Sequence, residues 1–305
     1  MYDSFAQRLW TYQAERFPLA SHAVLMGVAV FAAVAVPAAS GGLSRFPWGV
    51  WAVGVLTLLV YFFFLRVMEE HKEPPTGAGD DPGLAAVGGL VTLAELRRVV
   101  VISVLVAIVV NAVVEPGLLV LLALALGWAG LNGREFFARD WLRERPAVDL
   151  VLRTVALPLI FLYATGLVWV LAKSAPPAGT GAILGLSFMN GLVIEIGQNI
   201  RAPEREREID YTYSGDWGLG RAMGIWVAVV VGGAMAAMAA AAAAGDAVIA
   251  PAVLAVAGIG VLVVAGRMVA SPTYARSRWI EPTSALWVLI SYAATGIGAY
   301  LQITG

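Results

Sequence analysis

Residues 48–75 read WGVWAVGVLTLLVYFFFLRVMEEHKEPP. From Trp48 to Leu65 there is no charged side chain, and then Arg66, Glu69, Glu70, Lys72 and Glu73 arrive together before Pro74 and Pro75. An apolar run of about 20 residues is the length at which a helix crosses a bilayer core. Two consecutive prolines cannot continue that helix, because each lacks the N–H donor and crowds the preceding turn. The stretch therefore reads as a membrane helix that delivers a carboxylate cluster to the point where lipid meets water.

The same apolar pattern recurs over the 305 residues, of which 60% are apolar and only 13% charged. A soluble domain carries about 25% charged residues. The composition predicts one all-α polytopic membrane domain over 1–305, with about nine spans near 20–39, 48–68, 98–114, 117–132, 150–172, 180–196, 219–243, 246–269 and 283–302. The apolar residues run around each segment without strict alternation, which excludes a porin-type barrel. Only Glu115-Pro116-Gly117 separates the third span from the fourth. Pro37-Ala38-Ala39-Ser40 imitates a leader cleavage site, but Asp3 and Glu15 precede the span, unlike a short basic leader.

Sorting the tail and loops alternately to two sides puts eighteen of the twenty basic residues on one side, with Arg45 and Lys173 on the other. The positive-inside rule then predicts a cytoplasmic N-terminus and a C-terminus across the membrane. A net charge of −1 carries no footprint for nucleic acid, and the absence of cysteine excludes a disulfide framework or thiol nucleophile.

The acids are concentrated too. Twelve of the twenty-one lie in two loops on the basic face, one following the second span and one following the sixth. Glu69 and Glu73 share a helical face with Glu70 about 100° round. Glu195 ends the sixth span, entered through Asn190, and Gln198, Asn199 and Arg201 follow before Pro203. Facing carboxylate groups suit a hard divalent ion, with Mg²⁺ favoured where a phosphate shares the site. The plainer alternative is a pair of solvated, mixed-charge connectors. Of the two histidines, His22 reads as interfacial and His71 sits within the acidic cluster. Asn111 predicts a polar contact to another helix, and Asn190 a place in a cavity wall. The aromatic run from Tyr61 to Phe64 cannot turn every member toward one cavity.

RVMEEHKE from Arg66, EFFARDWLRERP from Glu135 and EIGQNIRAPEREREIDYTYSGDWG from Glu195 resemble the UbiA-type intramembrane prenyltransferase superfamily, which includes terpene cyclases. ERFPLASH from Glu15 is similar as well. The resemblance implies a helical bundle around a central cavity with a cytoplasmic cap, where Mg²⁺ holds a prenyl diphosphate. Ionisation would give an allylic cation, transferred to a lipophilic, aromatic acceptor or closed internally in a cyclase. It implies metal binding by Glu69, Glu70, Glu73, Glu195, Glu204 and Glu206, with Glu69, Glu70, Glu73 and Glu195 catalytic. It places Lys72, Asn190, Gln198, Asn199, Arg201, Tyr211 and Tyr213 on the substrate. Two departures stand out: Glu69 and Glu73 replace the usual aspartates, and Gln198 and Asn199 replace a basic pair. A lipid-binding or transport protein is the alternative outside catalysis; it would call for ionisable groups within the spans or an inverted repeat.

Overall fold

A computed structural model describes residues 4–70, 91–202 and 212–305, and within them the regular structure is helical. A short surface helix, α1 (Phe5–Arg16), precedes α2 (Leu19–Ser40) and α3 (Trp48–Glu70). There follow α4 (Leu93–Val114), α5 (Leu118–Gly133), α6 (Arg139–Arg143), α7 (Pro146–Thr154), α8 (Ala156–Trp169) and α9 (Thr180–Gln198). The last third contains α10 (Tyr213–Trp217), α11 (Leu219–Ala243), α12 (Ile249–Ala270), α13 (Tyr274–Ser277) and α14 (Ile280–Thr304).

Eight segments among the described residues are long and apolar enough to cross a membrane. The ninth expected span is α5, apolar but only 16 residues long. At 1.5 Å per residue it extends roughly 24 Å, somewhat less than a core of about 30 Å. The expected span at 150–172 is Pro146–Trp169, broken between α7 and α8 after Thr154. Pro158 explains the break, since it lacks the N–H that would bond the Thr154 carbonyl one turn back.

The spans form a closed ring. α2, α3, α4, α5, α8, α9, α11, α12 and α14 each pack on the next, and α14 returns to α2. Small residues permit the close approaches that helices make in lipid. At Gly296 of α14 an added Cβ would stand 2.7 Å from the Phe31 ring and 3.1 Å from the Ala32 backbone of α2, so a larger residue at that closing seam would force both to shift. The outer surface is apolar instead of polar: Ile102, Leu105 and Val109 of α4 and Val256, Ile259 and Leu262 of α12 are exposed. That distribution suits hydrocarbon as the surrounding solvent.

Inside the ring, polar side chains satisfy one another. Asn111 of α4 donates from Nδ2 to Thr57 Oγ1 of α3 at 3.0 Å, and the Tyr163 hydroxyl of α8 lies 2.6 Å from Asn111 Oδ1. The helix-to-helix contact expected of Asn111 is thus a three-helix junction. α1 lies across the ends of α3 and α4, where Tyr12 packs against Val67, Leu96 and Val100. Arg8 fastens it through a 2.7 Å ion pair to Glu95, which also closes the capping box of α4 with Thr92.

Candidate functional site

Three helix faces meet around a cavity of about 480 Å³ within the ring. On α3 it is lined by Phe62, Leu65, Arg66 and Glu69; on α9 by Asn190, Gly191, Ile194, Glu195 and Gln198; on α2 by His22, Leu25, Met26 and Ala29. Apart from Met68 of α3, which also reaches the cavity, each set follows the three-and-four spacing of a single helical face. That spacing sorts the aromatic run: Phe62 lines the cavity, Tyr61 is buried with its hydroxyl donating to the Ala156 carbonyl, and Phe63 and Phe64 pack under α1.

The cavity is apolar along one part and polar at its rim. Phe161 of α8 and Tyr292 of α14, stacked at 5.1 Å between centroids, form an aromatic wall beside Val288. Asn190 sits against this wall and is held by a 3.0 Å bond from Nδ2 to Ser291 Oγ, so it occupies the expected place in the lining. His22 also lines the cavity, stacked on Phe17 at 4.0 Å, with Nδ1 2.9 Å from the Pro18 carbonyl.

The rim gathers charge from separate elements. Glu69 ends α3 and Glu195 ends α9, and each lies within electrostatic reach of the other. Arg153 enters from the last turn of α7, where the break before α8 brings it and Thr154 to the lining. Its Nε bonds Asp149 Oδ2 at 2.8 Å, and Glu195 is within electrostatic reach of the same guanidinium. Asn132 at the end of α5 adds an amide to the same rim.

The structure separates the remaining site candidates. Glu70 is outside the cavity lining: it turns to the α1 side, bonded to Arg66 at 2.6 Å and close to Tyr12. The Tyr12 phenol is pushed up to about 12, first by burial and then by the Glu70 carboxylate. Gln198 lines the cavity, whereas Asn199 donates to the Glu195 carbonyl at 2.9 Å and finishes α9. Tyr213 is buried and stacked on Trp217, its backbone N–H bonded to the Asn199 carbonyl at 3.0 Å. Arg201 lines a different hollow, together with Arg278. Lys72, Glu73, Glu204, Glu206, Tyr211 and His71 lie outside the described residues. In the third loop, Glu135 pairs with Arg139 at 3.0 Å.

Among the described residues no three metal-ligating side chains come together. Glu69 and Glu195 are the two carboxylates that the tertiary structure brings to one rim. Mg²⁺ commonly uses one or two protein carboxylates, completing its shell with water and substrate phosphate. This oxygen donor set therefore fits the ion.

Sequence reading alone did not single out Arg153, Asn132 or Tyr292. Arg153 is one of many loop bases, and the other two have no motif to mark them; Pro158, five residues after Arg153 near a span start, is the usable signal.

No family model and no curated protein matches the sequence. A solved structure described as digeranylgeranylglyceryl phosphate synthase in membranes is similar over 97% of this chain and 99% of that one, with a TM-score of 0.62 and 12% identity. This chain therefore shares its fold with that solved structure, a helical bundle around a cavity as the sequence resemblance implies.

Proposed function

We propose that the chain is an intramembrane prenyltransferase that ionises a prenyl diphosphate at the charged rim and transfers the prenyl cation to a lipophilic acceptor. The observation that carries the reading is that Glu69, Glu195 and Arg153 line one cavity whose remaining wall is largely apolar and aromatic. The fold shared with a protein named for a prenylated glyceryl phosphate supports an isoprenoid as the substrate class.

In this mechanism the isoprenoid tail lies among Met26, Leu65, Leu157 and Val288, and its diphosphate faces the rim. Arg153 presents its guanidinium fork to the phosphate oxygens, a geometry suited to paired hydrogen bonds. It takes the part left open by Gln198 and Asn199, where the resembling branch has two bases. Gln198 and Asn132 offer amide donors beside it. Glu69 and Glu195 would hold Mg²⁺, with Glu73, Glu204 and Glu206 as further carboxylates. Bound there, the ion would neutralise charge developing on the leaving group. The allylic carbon–oxygen bond breaks with its electron pair leaving on diphosphate. The carbon left cationic faces the rings of Phe62, Phe161 and Tyr292, whose quadrupoles stabilise it while the apolar walls exclude water. An electron pair of the acceptor then forms the new bond, and the proton the acceptor gives up passes to the released diphosphate. The distribution of basic residues supports a rim on the cytoplasmic face.

The test is diphosphate release by the purified protein with Mg²⁺ and prenyl diphosphates of several lengths, with and without aromatic acceptors. Acceptor-dependent release that falls at least tenfold in Glu195→Gln is expected. A cyclic terpene formed without acceptor would replace the transferase reading with the cyclase one. No release under any condition would leave a lipid-binding protein.

A further inference from the structure

We propose that the hollow between Arg201 and Arg278 is a second anion site, which holds the phosphate of an anionic membrane lipid. The hollow measures about 530 Å³ and is built where the chain leaving α9 meets the turn between α13 and α14. Two guanidinium groups face one carboxylate, Glu281, and neither arginine forms an ion pair among the described residues. Ser277 and Tyr274 contribute hydroxyl-bearing side chains to the same lining.

Its walls are held in place. The Arg201 N–H donates to Ser214 Oγ at 2.9 Å, between the fully buried Ile200 and Ala202. On the other side, Arg276 donates to the carbonyls of Arg267 and Ser271, tying the turn to the end of α12. Arg278 lies over the Tyr274 ring, 6.0 Å from its centroid. Both cations are thus presented by fixed backbone.

The surroundings favour a lipid as the carrier of the phosphate. The hollow sits where two spans end, and Trp279 beside it is 65% exposed. Tryptophan and tyrosine at such ends lie at headgroup level. Val269 and Leu286, on the adjoining turns of α12 and α14, are exposed and apolar, offering a surface for acyl chains. Phosphate chemistry at the arginines and hydrocarbon chemistry beside them match the two halves of one amphiphile. The site is distinct from the diphosphate rim, because none of its residues lines that cavity.

The test uses the full chain in detergent, exchanged with mixed phosphatidylglycerol and phosphatidylcholine, with retained lipid measured by native mass spectrometry. Preferential retention of phosphatidylglycerol is expected, reduced roughly fivefold by each of Arg201→Gln and Arg278→Gln, given the attraction of a surface cation for an anionic headgroup. The thermal midpoint of each variant is recorded alongside, so that unfolding is not mistaken for lost affinity. Arg97→Gln/Arg98→Gln, which removes two exposed bases elsewhere, should retain the lipid. Equal loss in that control would reduce the effect to general surface charge and overturn the proposal. Unchanged retention in the Arg201 and Arg278 variants would overturn it as well. Inorganic phosphate that stabilises the protein as strongly as the lipid, in an Arg201-dependent way, would assign the hollow to a free anion and refute the lipid.

Discussion

Arg66 and Glu70, one turn apart on α3, form a 2.6 Å ion pair that holds Glu70 on the α1 side of the helix. Glu69, its immediate neighbour, lines the cavity and leaves 61% of its side chain exposed. Adjacent carboxylates of one motif therefore face different surroundings, because neighbouring residues on a helix diverge by about 100°. The pair divides the acidic cluster into a cavity group and one paired within α3 beside Tyr12 of α1.

Glu69→Gln should lower diphosphate release at least tenfold with the thermal midpoint nearly unchanged. Glu70→Gln should do the reverse: Arg66 keeps only its longer, 3.4 Å contact to Glu69, at a cost of about 2 kcal/mol, intermediate between exposed and fully buried pairs. Turnover per folded molecule and thermal unfolding, measured on both variants, separate the two. Lost turnover at full stability in Glu70→Gln would contradict the division.

Arg153→Gln should raise KM for the prenyl diphosphate about tenfold, the scale of one charged hydrogen-bond pair. Arg153→Lys should recover part of this as a point charge without the fork. Steady-state kinetics over a range of diphosphate concentrations provide the check. An effect confined to thermal stability would reduce Arg153 to a strut for Asp149.

Tyr163→Phe should destabilise the bundle by about 1 kcal/mol, the scale of intramembrane side-chain hydrogen bonds. It leaves the Asn111 carbonyl without its 2.6 Å partner. Asn111→Leu/Tyr163→Phe should cost less than the two single changes added together, since they remove one shared contact. Additive losses in thermal unfolding would show that the junction contributes no coupling.

Asp246 accepts from the backbone N–H groups of Val248, Ile249 and Ala250, and so caps α12. Burial pushes its carboxyl up, but the three donors outweigh this and hold it below the ordinary aspartate value. The stability it contributes is fully present above an unfolded pKa of about 3.9 and is lost as pH falls through the lower folded value. Asp246→Asn should lack that acid step, and Asp246→Ala should cost about 1 kcal/mol. A Cβ at Gly298 would overlap the same carboxylate, so Gly298→Ala should be more damaging in the native background than beside Asp246→Ala. Equal damage in both backgrounds, read from thermal midpoints, would remove the clash as the reason.

Much of the ring was legible in the linear chain. Apolar length marked the spans, and Pro74-Pro75 and Glu115-Pro116-Gly117 marked two boundaries, because burial in lipid acts on each helix before any packing. The break after Thr154 was not resolved: its apolar run continues through Pro158, and hydropathy does not register a missing N–H. Glu69 and Glu195 stood out as carboxylates at span ends. Arg201 looked equally suited to phosphate, yet it belongs to a hollow with Arg278, a residue far from it in sequence.

By itself, the sequence determined that the chain crosses a membrane repeatedly and that its charge gathers between the spans, since both are properties of local composition. Only the tertiary structure decided which charges share a site. Helix rotation set Glu69 apart from Glu70, the break at Thr154 brought Arg153 to the rim, and closure of α14 on α2 put Tyr292 in the same cavity as Phe62. These are consequences of angles and contacts between helices, and no single helix encodes them.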